Sequence, residues 1–200
     1  MSKDRSDVMK DVGDYLTYES AAKIFEIARK HNYRNYLILL LLLRTGRRIS
    51  ELLKLKPQDI DKSQGMILWN ILKKGGNYKR WKALDRTAYT SLINYIEQNN
   101  IKPNEYVFYS TYKGREHALS RVAVWYFLSK YLKEAGIEAH PHTFRHTFAV
   151  WIARKIKHPS DLIKLQNLLE HKDVKITQFY LQFAPQESRD LLEDTFHGGL

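Results

Sequence analysis

Apolar residues in the first part of this chain recur at the spacing of helices. Thr17 has the character of an N-cap. The apolar positions after it are Ala21, Ile24, Phe25 and Ala28. They predict a helix that ends near residues 31–32. The next stretch, 34–43, is apolar on nearly all sides, so we expect a second helix in the middle of the core, ended by Gly46.

Residues 66–84 have the composition of a β-hairpin. The arms 66–72 and 78–84 are rich in β-forming residues, and Gly75-Gly76-Asn77 lies between them. The tip and the second arm carry five basic side chains, which are Lys73, Lys74, Lys79, Arg80 and Lys82. A basic hairpin of this kind can reach into a groove or along a nucleic-acid backbone.

Two further helices and a loop are predicted between residues 85 and 135. The first helix begins at Asp85 or Thr87 and ends near residue 99, and the apolar pair 107–108 precedes a polar loop. Ser120 is expected to cap the second helix. Its buried stripe is predicted to be Val122, Val124, Trp125, Leu128, Tyr131 and Leu132.

The C-terminal part predicts three helices. The first covers residues 143–155, and the second begins at 159–161 and ends at His171. The side chains that the second is expected to direct inward are Leu162, Ile163, Leu165 and Leu168. Asp173 is expected to cap a short third helix that carries Tyr180. These elements predict an α+β fold, mainly α-helical with a small antiparallel β-sheet or hairpin.

Net charge narrows the class of partner. The 200 residues contain 33 Lys and Arg against 22 Asp and Glu, a formal charge of +11. This charge favours a polyanion as the partner, although Lys-rich surfaces also serve solubility.

The absence of cysteine excludes disulfides, thiolate metal sites and a cysteine nucleophile. Since no apolar run approaches the roughly 20 residues that span a bilayer, we expect one compact, soluble domain in the cytoplasm.

The segment 140–146, His-Pro-His-Thr-Phe-Arg-His, carries the densest candidate chemistry. On a helix, His142, Arg145 and His146 share one face because they are three and four residues apart. Phe144, Phe148 and Trp151 form a second, apolar stripe. One face packs, and the other presents cationic donors. An ordinary polar face that happens to be rich in His and Arg is the simpler alternative.

Arg47 and Arg48 directly follow Gly46 and precede a short helix predicted over residues 49–55. A cation at a helix N-terminus is electrostatically unfavourable unless an anion also binds there, so this corner is interpreted as a phosphate site. Glu51, one turn along, can hold an arginine guanidinium in a bidentate pair. The alternative is an ordinary exposed arginine pair.

A second basic cluster is predicted at the start of the helix capped by Ser120. Lys113 and Arg115 flank Gly114, and Arg121 follows the cap. Donors grouped at a helix N-terminus commonly serve phosphates, so these residues are candidate contacts to a DNA backbone. A solvated basic loop is equally compatible with the pattern.

Three motifs follow one another in a fixed order. Thr45-Gly46-Arg47-Arg48-Ile49-Ser50-Glu51-Leu52 comes first, then the His-x-x-Arg-His of 142–146, and then Leu169-Glu170-His171 with Tyr180 nine positions after the last histidine. This order and spacing resemble the tyrosine recombinase (phage integrase) family. Glu170 stands where that family often has glycine. The resemblance covers about residues 17–182 and implies the fold of the family's catalytic domain, between an N-terminal arm, 1–16, and an acidic C-terminal tail, 183–200.

The resemblance also implies roles for individual residues. Six positions match the catalytic set of the family, and they are Arg48, Lys74, His142, Arg145, His171 and Tyr180. Arg48 and Arg145 would clamp the phosphate, and Tyr180 would attack it to form a 3′-phosphotyrosyl ester, so that neither a metal ion nor ATP is required. His142 would act as the base and His171 as a donor to the phosphate. Lys74, with Lys73 as the alternative, would be the general acid.

Supporting and binding roles complete the assignment. Glu51 and His146 are expected to support the site, without a catalytic step for His146. The candidate DNA contacts are Arg47, Lys73, Lys79, Arg80, Lys113, Arg115 and Arg121. The implied partner is double-stranded DNA at the nucleoid. By family likeness we expect a homo-oligomer, a tetramer, to assemble on the DNA. The acidic tail is then a contact between subunits.

Three other functions remain open at the level of the sequence. DNA relaxation of the type IB topoisomerase kind uses related chemistry, and a non-catalytic DNA-binding regulator of a mobile element would use the same surface. A metal hydrolase could use His140, His142, His146 and His171, but the glutamate that follows the first histidine of metalloprotease helices is missing. Family members usually carry a further N-terminal domain, so we expect either a naturally minimal enzyme or a piece of a longer one.

Overall fold

The computed structural model of the protein describes most of the chain, in two compact units. The described residues are 15–72, 76–112, 115–156, 158, 160–170 and 177–183, and for Tyr112, Arg115, Glu116 and Leu181 the description is limited to the backbone. The first unit is Leu16–Arg145, and the second contains Tyr15 and the described residues from His146 onward. Most of the predicted arm and nearly all of the acidic tail lie outside the described residues, so their boundaries stay predictions.

The first unit contains a helix that is buried on every side. Helix α1, Tyr18–His31, begins at the predicted cap, where the Thr17 hydroxyl accepts a hydrogen bond from the Ser20 amide at 3.1 Å. Helix α2, Tyr33–Thr45, packs against α1, and each of the residues 37–43 is at most 3% exposed. This confirms the central helix that the all-round apolar stretch predicts.

A left-handed glycine turns the chain out of α2. Gly46 has φ 59° and ψ 16°, a conformation that costs glycine little and other residues about 1 kcal/mol or more. Helix α3, Ile49–Leu52, follows and is shorter than the predicted 49–55. The helix cannot extend to Lys56, because this residue precedes a proline and has an extended backbone, φ −125° and ψ 152°.

Three antiparallel strands come next, β1 at Ile60–Asp61, β2 at Met66–Ile71 and β3 at Tyr78–Ala83, and they lie in the spatial order β1-β2-β3. A single 3₁₀ turn, Pro57–Asp59, leads into them. The inward-facing Ile67, Trp69 and Ile71 are at most 2% exposed. The predicted hairpin of β2 and β3 is confirmed, whereas β1 is too short to show a period in the sequence. The hairpin tip, 73–75, lies outside the described residues.

The structure decides which residue caps the next helix, and it shows a hairpin where a polar loop is predicted. Helix α4, Arg86–Gln98, is capped by Asp85 and not by Thr87, since the Asp85 carboxylate accepts a hydrogen bond from the Ala88 amide at 3.2 Å. The segment predicted as a polar loop forms a second hairpin, with β4 at Tyr109–Tyr112 and β5 at Arg115–Ala118. Four-residue strands with polar side chains give no apolar alternation, so periodicity could not reveal them.

Helix α5, Arg121–Ala135, begins at the predicted cap but buries a different stripe. The Ser120 hydroxyl accepts a hydrogen bond from the Ala123 amide at 3.0 Å. The predicted burial of Val122 and Trp125 is wrong, because they are 77% and 46% exposed. Two residues along a helix correspond to a rotation of about 200°, so Val122 lies nearly opposite the buried Val124. The stripe that packs inward consists of Val124, Phe127, Leu128, Tyr131, Leu132 and Ala135.

Helix α6, Pro141–Ala153, carries the His-x-x-Arg-His motif and starts two residues before the predicted position. Its residues up to Arg145 belong to the first unit, and those from His146 onward belong to the second. The core of the second unit is formed by Phe148, Ala149, Val150, Ala153, Ile156, Leu165, Leu169 and Tyr180. Tyr180 lies in a 3₁₀ helix, Phe179–Phe183, so a hydroxyl-bearing side chain is part of this apolar core.

Helix α7, Ser160–Leu169, completes the second unit. Leu165 and Leu169 are fully buried, and Leu162 and Leu168 are half-buried. The expectation that Ile163 points inward is wrong, because it is 58% exposed. Like Val122 in α5, it lies two positions from a buried residue and therefore nearly on the opposite face of the helix. The predicted cap Asp173 lies outside the described residues.

No helix within the described ranges combines the length and the apolar character needed to cross a lipid bilayer.

Replacing Leu128 by alanine should lower the free energy of unfolding by about 2 to 5 kcal/mol, because a fully buried leucine leaves a cavity. The matched control is Val122→Ala in the same helix, which should change that free energy by less than about 0.5 kcal/mol. Equilibrium urea denaturation of both variants measures the difference. Equal losses would contradict the face that α5 is described to bury.

Candidate active site

Four arginines and a histidine line one small pocket in the first unit. Its volume is about 100 Å³, and its lining residues are Arg47, Arg48, Ile49, Ser50, Arg121, Pro141, His142 and Arg145. We call this the arginine pocket. Three of the predicted catalytic residues, Arg48, His142 and Arg145, meet here although about 100 residues separate the first from the last. A concave site of this charge is suited to a phosphate group.

The carboxylate of Glu51 fixes Arg48 in the arginine pocket. One oxygen accepts a hydrogen bond from Nη1 of Arg48 at 3.0 Å, and the other accepts from the Arg48 backbone amide at 3.2 Å. The expected bidentate pair of side chains is therefore not formed, because the second oxygen caps the N-terminus of α3. The Glu51 side chain is 0% exposed, while that of Arg48 keeps 34% of its surface in contact with solvent. Glu51 therefore fixes the Arg48 guanidinium, while part of the Arg48 side chain remains accessible to solvent.

The same carboxylate also reaches the basic hairpin. The Glu51 oxygen that binds the Arg48 guanidinium accepts a further hydrogen bond from the backbone amide of Leu72 at 3.2 Å. Leu72 directly precedes Lys73 and Lys74, which lie outside the described residues. A single buried group therefore connects Arg48 to the base of the segment that carries the predicted general acid. Spacing along the sequence could not reveal this bond, because 21 residues separate its partners.

Arg145 is held by a main-chain carbonyl. Its Nη1 donates a hydrogen bond to the carbonyl oxygen of Gly46 at 2.6 Å, and the residue is 8% exposed. The turn that presents this carbonyl is itself fixed, since the Thr45 hydroxyl donates to the Leu41 carbonyl at 2.6 Å and accepts from the Arg47 amide at 3.2 Å. The left-handed glycine thus does more than end α2, because it positions the guanidinium of Arg145.

Arg47 lines the arginine pocket but is only 3% exposed. The alternative of an ordinary exposed arginine pair is therefore wrong for this residue. A side chain buried to that degree can act on a group that enters the pocket, whereas it offers little surface to the outside of a duplex. Its assignment as a DNA contact stays a prediction.

Tyr180 forms a contact in the second unit that its position in the sequence does not indicate. Its hydroxyl oxygen lies 2.9 Å from Nδ1 of His146, within hydrogen-bond distance, and the residue is 4% exposed. His146 was expected to support the site without a defined partner. The contact joins residues 34 positions apart, so no local pattern predicts it.

Glu170, which precedes the predicted catalytic His171, has a left-handed backbone with φ 56°. This conformation costs a non-glycine residue about 1 kcal/mol. The position is one at which the resemblance leads us to expect glycine, and the backbone angle supplies the physical reason. The chain therefore ends α7 with a strained residue, next to a segment, 171–176, that lies outside the described residues.

Several predicted binding residues can be located only in part. Lys113 lies outside the described residues, and Arg115 is described by its backbone alone. Lys79 and Arg80 are exposed on β3, and the Arg80 guanidinium lies 5.6 Å from the ring centroid of Tyr78. Lys82 is half-buried. These positions keep a cationic face on the hairpin, and their contact with DNA stays a prediction.

A larger concavity lies away from this chemistry. It has a volume of about 550 Å³ and is lined by Asn32, Tyr33, Arg34, Tyr95, Gln98, Asn99, Tyr109, Ser110 and Thr111. It lies at the N-terminal end of α2, whereas the arginine pocket follows the C-terminal end, about 20 Å along the helix axis. None of the residues that the sequence singles out lines it, so size alone does not identify the functional site.

The arrangement described so far defines a class of protein. The sequence model of the phage integrase family matches residues 14–187, and the chain belongs to that family. Among its relatives is tyrosine recombinase XerA of Pyrococcus furiosus, 30% identical over 186 residues, which cover 93% of this chain and 63% of the relative. Tyrosine recombinase XerC of Bacillus pumilus is also 30% identical, over 94% of this chain and 61% of the relative. The chain thus spans about three fifths of the length of these curated relatives.

Solved structures agree with the fold. The crystal structure of XerA recombinase superposes with a TM-score of 0.69 at 26% identity, covering 93% of this chain and 65% of that one. XerH site-specific recombinase, solved in a pre-cleavage complex with its difH substrate, gives 0.66 at 25% identity, over 84% of this chain and 50% of that one. The predicted fold class, a mainly helical α+β catalytic domain of the tyrosine recombinase type, is confirmed.

Replacing Glu51 by glutamine should lower the free energy of unfolding by about 1 to 3 kcal/mol, because one of its two acceptor oxygens becomes a donor that faces other donors. The matched control is Glu134→Gln. Glu134 pairs with His31 at 2.8 Å, but its side chain is 47% exposed, so the loss should stay below about 1 kcal/mol. Chemical denaturation of both variants measures the two losses. A larger loss for Glu134→Gln would contradict the structural role of Glu51.

Proposed function

We propose that this chain is the catalytic part of a site-specific DNA recombinase or integrase. It would cut and rejoin double-stranded DNA through a covalent 3′-phosphotyrosyl intermediate. Membership of the phage integrase family supports the reaction class, and a relative solved as a complex with its DNA substrate supports the partner. The observation that carries the proposal is the arginine pocket, in which Arg48 and Arg145 are each held in place by a separate hydrogen bond.

The arginine pocket would bind the phosphate that is cut. During attack, negative charge grows on the non-bridging oxygens, and two guanidinium groups that are always charged can stabilise it without a metal ion. Because Glu51 and the Gly46 carbonyl hold these groups before substrate arrives, little reorganisation is needed. His142, which is exposed and lines the same pocket, can donate a further hydrogen bond.

Tyr180 would supply the nucleophile. His142, the candidate base, would take the proton of the Tyr180 hydroxyl as the phenol oxygen attacks phosphorus. The bond to the 5′ oxygen breaks, and that oxygen takes a proton from Lys74 or, as the alternative, Lys73. His171 would donate to a phosphate oxygen. The phosphotyrosyl ester keeps the free energy of the broken bond, so rejoining needs no ATP. We therefore propose a reaction without metal or nucleotide cofactor.

The exposed start of α5 would contact the duplex beside the cleaved phosphate. Arg121 lines the arginine pocket, and the residues that follow it include Val122, 77% exposed, and Tyr126, 79% exposed. Apolar and aromatic side chains on a surface next to a phosphate site can meet the edges and methyl groups of bases. Their exposure leaves both side chains available for such a contact. We also propose that the chain assembles on DNA as a homo-oligomer, by family likeness a tetramer.

A nicked suicide duplex tests the proposal directly. The duplex is selected from a random-sequence library by covalent capture on the wild-type protein, in buffer with a chelator and without ATP. We expect a detergent-stable protein–DNA adduct that Tyr180→Phe abolishes, because the phenol oxygen forms the bond. Tyr18→Phe, a change at a residue that is 55% exposed, should leave the adduct intact.

The products separate this reaction from its alternatives. Relaxed topoisomers from a plasmid without selected sites would indicate topoisomerase activity, and binding without any adduct would indicate a non-catalytic regulator. An adduct that survives in Tyr180→Phe would refute the assigned nucleophile.

Arg48→Lys and Arg145→Lys should each lower the single-turnover cleavage rate by about 10²- to 10³-fold, because lysine offers a point charge where a planar fork is needed. The control is Arg86→Lys, an exposed position in the first turn of α4 that does not line the arginine pocket. Rates are compared at saturating protein, so that weaker binding does not enter. Cleavage by both variants within about threefold of wild type would exclude the phosphate clamp, since one lost donor of this kind normally costs far more.

A further inference from the structure

His146 contacts the proposed nucleophile, Tyr180. Its Nδ1 lies 2.9 Å from the Tyr180 hydroxyl oxygen. The two ring centroids are 6.5 Å apart and the ring planes are tilted by 34°, so the rings are not stacked and the contact is made through the polar atoms. Both residues belong to the second unit, which makes the pair an internal feature of that unit.

The surroundings of Tyr180 make a nearby proton acceptor important. The residue is 4% exposed and packs in an apolar cluster with Phe148, Leu165 and Leu169. A phenol has an ordinary pKa of about 10, and a charged phenolate is unfavourable in apolar surroundings. The residue as a whole has little contact with bulk water. A neutral imidazole nitrogen at hydrogen-bond distance can take the proton where water cannot.

We infer that His146 accepts the proton of Tyr180 in the cleavage step. This inference rests on the proposed function and changes one assignment within it, since the resemblance gave that role to His142. His142 and His146 are four residues apart on α6. His142 lines the arginine pocket, where a donor serves the phosphate, while the Tyr180 hydroxyl is contacted by His146. In this inference His142 donates a hydrogen bond to the phosphate, and His146 takes the proton of the nucleophile.

The step balances in protons and bonds. The neutral ring, protonated on Nε2, receives the Tyr180 proton on Nδ1 as the phenolate oxygen bonds to phosphorus. The bond from phosphorus to the 5′ oxygen breaks, and that oxygen takes its proton from the lysine general acid. In rejoining, the 5′ hydroxyl attacks phosphorus and gives its proton back to the neutral lysine, the phosphotyrosyl bond breaks, and the histidinium returns its proton to the departing phenolate.

The test compares His146→Asn and His146→Ala with wild type on the selected nicked duplex. The amide of asparagine can replace Nδ1 as a hydrogen-bond partner but cannot take a proton. We expect both variants to bind the duplex with unchanged affinity and to cleave about 10²- to 10⁴-fold more slowly. Added imidazole should restore cleavage in His146→Ala and not in Tyr180→Phe. His158→Asn, at an exposed histidine of the same unit, is the matched control and should cleave at the wild-type rate.

A second substrate separates the base from the acid. With sulfur in place of the bridging 5′ oxygen, the leaving group needs no proton, so variants of the lysine general acid should recover and His146→Asn should not. Wild-type cleavage by His146→Asn, failure of imidazole to restore folded His146→Ala, or recovery of His146→Asn by the sulfur substrate would each overturn the inference. An adduct that depends on Tyr180 but not on His146 leaves the proposed function standing. Absence of any adduct in the wild type contradicts the proposed function itself.

Discussion

The carboxylate of Glu51 connects the arginine pocket to the base of the basic hairpin, two regions that lie apart in the sequence. It has no exposed surface, and it receives hydrogen bonds from the Arg48 guanidinium, the Arg48 amide and the Leu72 amide. A buried carboxylate is stable only when donors surround it, so each of these bonds satisfies the charge as well as positioning its partner. The placement of Arg48 and the placement of the hairpin base are therefore not independent.

The position of Arg145 depends on backbone geometry, whereas the position of Arg48 depends on a buried charge. Arg145 is held by the carbonyl of Gly46, and that carbonyl points correctly because the chain passes through a left-handed turn at the end of α2. Helix α2 in turn is fixed by burial along its whole middle section, 37–43. The hydrophobic core thus sets the position of one guanidinium, while a buried charge sets the position of the other.

The sequence predicted the parts of this structure that depend on local patterns. The caps at Thr17 and Ser120 and the buried α2 follow from side-chain chemistry at short range. The errors at Val122 and Ile163 arise because an apolar residue was assumed to be buried, although its direction on the helix decides that. The contacts of Glu51 with Leu72 and of His146 with Tyr180 join distant segments, and only the fold brings them together.

The proposed reaction requires the cleaved phosphate to lie in the arginine pocket. The most direct measurement is a crystal structure of the Tyr180→Phe protein with an intact duplex of the selected sequence. We predict that non-bridging oxygens of one phosphate lie within hydrogen-bond distance of both the Arg48 and the Arg145 guanidinium groups, and that the ring at position 180 faces the same phosphorus. A duplex bound elsewhere on the chain, with no phosphate in the arginine pocket, would contradict it.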